Sequence, residues 1–235
     1  MHNLIEARGL FKDFGPTRAL RGVGLTVAAG EAVAIMGPSG SGKTTLLHCL
    51  AGIETPGAGQ VLFSRVGDTV DVAALSDRRR SELRRTSFGF VFQQGLLLPE
   101  LTAGENVALP LLLLGARRAD AEAEARRLLE LLGIGDKVGA RIGELSGGQQ
   151  QRVAIARAQA SQPAVVFADE PTGALDSVTS AEVMSALLAS TVGSGRALVV
   201  VTHDASVAAR CDRTLHMADG TIAEMSTSVR AGDAS

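Results

Sequence analysis

The segment Gly37-Pro38-Ser39-Gly40-Ser41-Gly42-Lys43-Thr44 restricts what this chain can become more than any other. It fits G-x-x-x-x-G-K-[ST], with an apolar strand pattern, Ala32–Met36, ahead of it and a helical pattern, Thr44–Ala51, behind it. Glycines let the backbone fold tightly enough to aim consecutive N–H groups at one anion. The positive end of the following helix points at the same spot. Lys43 is placed to reach the β- and γ-phosphates of a nucleotide, and the Thr44 hydroxyl to ligate Mg²⁺. Thr45 belongs to the same binding set. Three lysines stand beside twenty arginines in the chain, an excess that reads as genomic base composition, and one of those three fills the position that demands lysine.

Composition narrows the class further. The 235 residues are 46% hydrophobic and 20% charged, which excludes disordered and fibrous chains and leaves enough length to bury a core without disulfides or structural metal. A net charge of −2 argues against a generally basic nucleic-acid binder. Cys49 and Cys211 have no CxxC spacing, so neither a zinc ribbon nor a disulfide framework is expected, and a reducing compartment fits. Residues 1–6 show neither a basic n-region nor an apolar h-region, so no secretory signal is expected. The longest apolar run, Val107 to Leu114, contains Pro110 and falls well short of the roughly 18–20 residues of a membrane span.

Short apolar runs alternate with amphipathic stretches, the pattern of an α/β protein. Strands are expected at Leu4–Phe11, Leu25–Val27, Ala32–Met36, Val61–Arg65, Phe88–Phe92, Val165–Ala168, Leu198–Val201 and Thr214–Met217, with a turn at Ala218-Asp219-Gly220 into an edge strand at Thr221-Ile222. Val165–Ala168 and Leu198–Val201 are uniformly apolar, as strands covered on both faces are. From about Leu96 to Ala160 the period becomes helical, most clearly over Ala119–Leu132 with Gly133 as C-cap. The polar stretch after Met225 reads as a disordered tail.

A second acidic site fits the first. Val165–Ala168 runs into Asp169-Glu170, which sets two carboxylates at the C-terminal edge of a buried strand, where α/β sheets bind ligands. Asp169 can hold Mg²⁺ directly or through water, and Glu170 can orient and deprotonate an attacking water. A GTPase would carry an Asn-Lys-x-Asp motif. The only asparagines, Asn3 and Asn106, do not precede a lysine, so guanine recognition is disfavoured.

Leu145-Ser146-Gly147-Gly148-Gln149, followed by Gln150-Gln151-Arg152-Val153-Ala154-Ile155-Ala156-Arg157-Ala158, decides among the remaining phosphate-loop proteins. Chemically it is a Ser-Gly-Gly turn opening a helix, which offers a hydroxyl and free N–H groups to an anion. It also reads as a serine-capped helix, and the same donors serve both purposes. The segment resembles the signature motif of ATP-binding cassette (ABC) ATPases. That resemblance covers about residues 3–225 and implies an α/β fold: a P-loop NTPase (RecA-like) core with an N-terminal antiparallel β subdomain and an α-helical subdomain inserted at about 96–160, followed by a tail at 226–235.

It also implies the site. ATP would be held by Phe14 stacking on adenine, by Gly37, Pro38, Ser39, Gly40, Ser41, Gly42, Lys43, Thr44 and Thr45, and by Ser146, Gly147, Gly148 and Gln149. Thr44, Gln93 and Asp169 would hold Mg²⁺. Glu170, His203, Gln93 and Lys43 would carry catalysis, with Gln93 in Phe92-Gln93-Gln94 linking the metal and water to the helical subdomain and His203 contacting the γ-phosphate. Gly173-Ala174-Leu175-Asp176 matches the D-loop, with Ala174 where many relatives carry Asn, a change expected to tune coupling.

The resemblance further implies a head-to-tail dimer in which the Ser146-Gly147-Gly148 turn of one copy closes the phosphate loop of the other. Lys43 and Mg²⁺ alone cannot surround every γ-phosphate oxygen, and a partner helix terminus completes the cage. Separate integral membrane permease subunits would then dock near Gln93 and the apolar loop Leu96-Leu97-Leu98, on the cytoplasmic face of the cell membrane. Segment 92–111 and Ala168–Gly173 are similar to the lipoprotein-release and macrolide-export branch, which implies export or extraction of lipoprotein, peptide or antibiotic. A cell-division ATPase of the same branch is the alternative, and a soluble ABC protein acting on ribosome or DNA fits less well. No nucleic acid is expected: Asp77–Arg85 interleaves acids with its arginines and reads as a solvated helix face.

Overall fold

The computed structural model describes residues 3–227 apart from 66 and 94. Gln94 and the tail from 228 onward therefore lie outside the described residues. The chain divides into two compact units, Met1–Ser81 with Ala197–Ser235, and Glu82–Arg196.

The first unit carries two sheets. One is antiparallel, ordered β2-β1-β4-β5, and built from β1 (Asn3–Phe14), β2 (Thr17–Ala28), β4 (Ala58–Arg65) and β5 (Asp68–Asp71). This is the antiparallel subdomain expected near the N-terminus. The strands β1 and β2 are much longer than their apolar stretches because one face of this sheet is wet: Arg18 and Arg21 alternate with buried Leu20 and Val23. The expected strand at Leu25–Val27 is only the apolar end of β2, and β5, made of Asp-Thr-Val-Asp, has almost no apolar signal.

The other arrangement in this unit places β3 (Ala32–Met36) parallel to both β8 (Ala197–Val201) and β9 (Arg213–Ala218), with β10 (Thr221–Thr227) antiparallel on β9. Every residue of β8 is buried, as its unbroken apolar run requires. Helix α1 (Lys43–Leu50) follows β3 and buries Leu46, Leu47 and Leu50, which fastens the segment between them to both neighbours.

In the second unit β6 (Phe88–Phe92) lies parallel to β7 (Val165–Asp169), in register from Phe88 opposite Val165 to Phe92 opposite Asp169. The Phe90 and Phe167 rings stack across the pair at 5.7 Å. Helix α2 (Asp77–Ser87), formed by the arginine-rich stretch, begins in the first unit, where Arg80 bonds Asp77 and Thr55, and it keeps Arg78, Arg79 and Arg85 exposed. Helices α3 (Ala103–Leu113), α4 (Arg118–Leu131), α5 (Gly147–Gln159) and α6 (Ser177–Thr191) make up the rest. Helix α3 opens on a capping box in which Glu105 N–H donates to Thr102 Oγ1 at 3.2 Å and Thr102 N–H to a Glu105 carboxylate oxygen at 2.8 Å. Pro110 sits inside α3, and Gly133 takes the left-handed conformation after α4, as its position past the last apolar residue requires.

Asn106 fixes the loop ahead of α3. It is fully buried, accepts from Leu98 N–H at 2.8 Å, and donates to Leu98 O and Thr102 O at 3.0 Å each. Replacing it by Ala would leave Leu98 N–H without its acceptor and take one of two donors from Leu98 O and from Thr102 O, which keep the N–H groups of Leu101 and of residue 106. Asn106→Ala should therefore lose about 2–3 kcal/mol in chemical denaturation. An unchanged midpoint would show that water takes over the amide's bonds.

Candidate functional site

The phosphate loop leaves β3 and is shaped by close backbone approach. A Cβ at Gly37 would lie 2.2 Å from Met217 O, and one at Gly42 would lie 2.3 Å from Ala19 O, with Gly42 at φ 98° as the N-cap of α1. No other residue fits either place without displacing backbone. Lys43 Nζ donates to Gly37 O at 2.8 Å and to Pro38 O at 2.9 Å, so its ammonium is folded over the loop. Ser41 Oγ, in a side chain only 4% exposed, is the one buried side-chain polar atom without a hydrogen-bond partner among the described residues. An orphan hydroxyl inside a cradle of this kind fits an anionic ligand.

The loop opens on a hollow of about 280 Å³ lined by Phe14, Thr17, Ala19, Gly40, Gly42, Lys43, Thr44 and Thr45. Phe14, from the end of β1, is 47% exposed there. Six of the expected nucleotide residues are thus brought to one cavity: an aromatic face at one end and a lysine with two hydroxyls at the other. His203 follows β8. Thr202 N–H donates to Ile35 O at 3.1 Å, which places His203 just beyond the strand end that neighbours the phosphate loop. It is exposed, and Asp204 after it caps a short helix, α7 (Ala205–Ala208), by accepting from Ser206 N–H at 2.7 Å. The Ser206 hydroxyl most of all, and then this backbone bond, hold the Asp204 carboxyl below its ordinary range, with a small contribution from His203.

In the second unit β6 and β7 end level with each other, so Gln93 and Glu170 emerge at one edge, next to Asp169. Glu170 has φ 47°, a left-handed conformation that a non-glycine residue holds only under strain, and it precedes Pro171. A Cβ on Gly173 would come within 2.9 Å of Gln93 Nε2, which puts the Gln93 amide beside the D-loop segment.

Ser146 caps α5, and its reciprocal partner is Gln149: Gln149 N–H donates to Ser146 Oγ at 3.3 Å and Ser146 N–H to Gln149 Oε1 at 2.9 Å. Gln149 therefore spends its side chain holding the turn. Gly148 is packed so closely that a Cβ there would meet Thr179 Cγ2 at 2.5 Å. Asp176 caps α6 by accepting from Val178 N–H, Thr179 N–H and the Thr179 hydroxyl, bonds that hold its carboxyl below the usual range, the Thr179 hydroxyl bond most of all.

Two residues with no role assigned from the sequence matter here. Gln151 Nε2 donates to Phe92 O at 3.0 Å, and Arg157 donates to Leu96 O at 2.7 Å and Gly95 O at 2.6 Å. Helix α5 thus grips the carbonyls on both sides of Gln93. Burial pulls the Arg157 guanidinium below its ordinary pKa, and the two carbonyls compensate part of that desolvation. Their sequence signal is a long polar side chain repeating inside an otherwise apolar helix face.

Comparison with known proteins agrees with this geometry. The profile of the ABC transporter family matches residues 20–173. A lipoprotein-releasing system ATP-binding protein, LolD, from Bordetella pertussis is 48% identical over 217 residues, 92% of each chain. Its counterpart from Porphyromonas gingivalis is 42% identical over 217 residues, 92% of this chain and 97% of that one. A macrolide export ATP-binding/permease protein, MacB, from Marinobacter nauticus is 45% identical over 225 residues, which are 94% of this chain and 34% of that longer protein. Among solved structures, a dimeric bacterial ABC transporter cassette matches with TM-score 0.86 at 37% identity, covering 96% of this chain and 99% of that one. A dimeric cassette in a post-hydrolysis state bound to ADP and Pi matches with TM-score 0.85 at 36% identity over the same shares. The chain belongs to the ABC transporter family, as a nucleotide-binding cassette with ATPase function and a P-loop, RecA-like core.

The Gly42 contact makes a direct prediction. Gly42→Ala places a methyl against Ala19 O and forces a positive φ, at a cost of at least about 2 kcal/mol. Nucleotide titration should show at least tenfold weaker ATP binding, and wild-type affinity would mean that the loop does not contact the ligand.

Proposed function

We propose that this cassette powers a separate integral membrane permease of the lipoprotein-releasing and macrolide-export type. The observation that carries this reading is near-full-length similarity, at 42–48% identity, to chains named as ATP-binding subunits of lipoprotein-releasing systems. That match covers 97% and 92% of those ATP-binding proteins' own length, which supports a permease carried on another chain. No helix among the described residues is long and apolar enough to cross a membrane, and in the macrolide exporter the matching region is one part of a combined ATP-binding/permease chain. The cassette, one domain over 3–225 with a helical subdomain near 96–160, would work as a peripheral protein on the cytoplasmic face of the membrane.

In this reading Phe14 stacks on adenine, and the loop from Gly37 to Thr45 binds the phosphates through backbone N–H groups, Lys43 and Ser41. Thr44, Gln93 and Asp169 would hold a Mg²⁺ ion, which would supply charge neutralisation at the phosphates. Glu170 orients the attacking water and accepts its proton, His203 touches the terminal phosphate, and Ser146, Gly147 and Gly148 of a second copy close the cage head-to-tail. ATP favours that closed dimer only through contacts it lacks in the open one. In Glu170→Gln the amide cannot take the proton, so ATP-loaded dimers should accumulate and be visible by size-exclusion chromatography with ATP and Mg²⁺. A profile showing monomer alone would contradict the reading.

The permease docks, in the same reading, at a hollow of about 180 Å³ lined by Phe88, Phe90, Phe92, Arg84, Arg85 and Arg157. The Phe90 and Phe92 rings stack at 5.9 Å as its apolar lining, and Leu96 and Leu98 are 58% and 43% exposed on the loop joined to it through Arg157. A short permease helix bearing an acidic residue suits an apolar surface flanked by guanidinium groups. Replacing Leu97 and Leu98 by Asp should abolish stimulation by a co-purified permease while the isolated cassette hydrolyses ATP at its usual rate. Full stimulation would place docking elsewhere.

A further inference from the structure

Lys12 stands two residues before Phe14, at the aromatic end of the nucleotide hollow. Its side chain is only 16% exposed. Nζ donates to Thr55 O at 2.9 Å, pairs with a Glu54 carboxylate oxygen at 2.9 Å, and sits 4.9 Å from the centre of the Phe14 ring. Glu54 and Thr55 belong to the segment that leaves α1, where Ile53 N–H and Glu54 N–H both return to His48 O. The opposite end of α1 is Lys43, in the phosphate loop. One ammonium therefore joins the ring at the aromatic end of the hollow to the far end of the helix that begins at its phosphate end.

An ammonium fixed by a carbonyl and a carboxylate cannot drift, so the ring it touches is held as well. A cation over an aromatic face is attracted by the ring quadrupole, and it occupies that face. Phe14 nonetheless remains 47% exposed and lines the hollow, so a face not covered by Lys12 is open to a planar ligand. Asp13 does not compete for Lys12, because it pairs with Arg18 at 3.1 Å.

We propose that Lys12 is a positioning residue for the base of the nucleotide: tied to the end of α1, it backs the Phe14 ring and presents the other face of that ring to a purine. This rests on the reading of Phe14 as the base-stacking residue. The benefit belongs to the base and not to the phosphates, which separates it from a general structural role.

The test compares ATP with inorganic tripolyphosphate, which lacks a base, as competing ligands of the full chain. Lys12→Gln keeps a donor for Thr55 O and removes the charge, Lys12→Arg keeps the charge, and Phe14→Ala removes the ring. Lys12→Gln should weaken ATP binding about fivefold, with a matching rise in KM and unchanged kcat, while tripolyphosphate affinity stays within about twofold. Lys12→Arg should bind ATP like wild type. Unchanged or tighter ATP binding by Lys12→Gln, with Phe14→Ala weakened, would overturn the role of Lys12 and leave Phe14 in place. Equal losses for ATP and tripolyphosphate would reduce Lys12 to a brace for α1. Normal ATP binding by Phe14→Ala would remove the stacking reading, and the proposal with it.

Discussion

Backbone meeting backbone without an intervening Cβ is the contact on which this molecule turns. Gly37 lies against Met217 O and Gly42 against Ala19 O, so the phosphate loop is held between β9 on one side and β2 on the other. Gly220 N–H donates to Ser41 O at 3.1 Å and Arg21 N–H to Gly220 O at 2.8 Å, which ties the β9–β10 turn into the same knot. A loop clamped in this way has its N–H groups set before any ligand arrives, so little ordering entropy opposes phosphate binding. The orphan Ser41 hydroxyl and the folded Lys43 ammonium are what that rigidity leaves for an anion to engage.

The second unit is organised around α5. Its N-terminus is the Ser-Gly-Gly turn, packed against Leu175 and Thr179 of the D-loop and α6, while Gln151 and Arg157 further along hold the carbonyls of Phe92, Gly95 and Leu96. A displacement of α5 would therefore be felt both at the Ser-Gly-Gly turn, which in the proposed dimer closes a neighbour's nucleotide, and at Gln93. The aromatic lining of the nearby hollow shares Arg157 with this clamp, which would give the proposed permease helix a short mechanical route to the same glutamine.

Much of this was legible in the sequence, for physical reasons. Strands β3, β7 and β8 are evident because both faces are buried and their apolar runs are continuous. The serine cap of α5 follows from residue type alone. Most of β2 and all of β5 were hidden because they lie in a sheet with a solvated face, where Arg18, Asp68 and Asp71 carry no apolar pattern. The left-handed Glu170 could not be foreseen, since nothing in Asp-Glu-Pro marks a positive φ. The capping half of Gln149 was available in the Ser-x-x-Gln spacing. The tie from Lys12 to the end of α1 spans forty-three positions in the chain and exists only once the strand and helix have packed.

Mixing two inactive variants tests most directly whether a nucleotide gripped by one copy is closed by another. Lys43→Ala lacks the phosphate lysine, and Ser146→Glu sets a carboxylate in the turn. In a head-to-tail dimer the mixed pair keeps one site with both features intact, so ATPase activity should reappear on mixing and peak near equal amounts. Activity that stays at the level of the separate variants at every ratio, with mixed dimers shown to form, would mean that each nucleotide is served by a single chain.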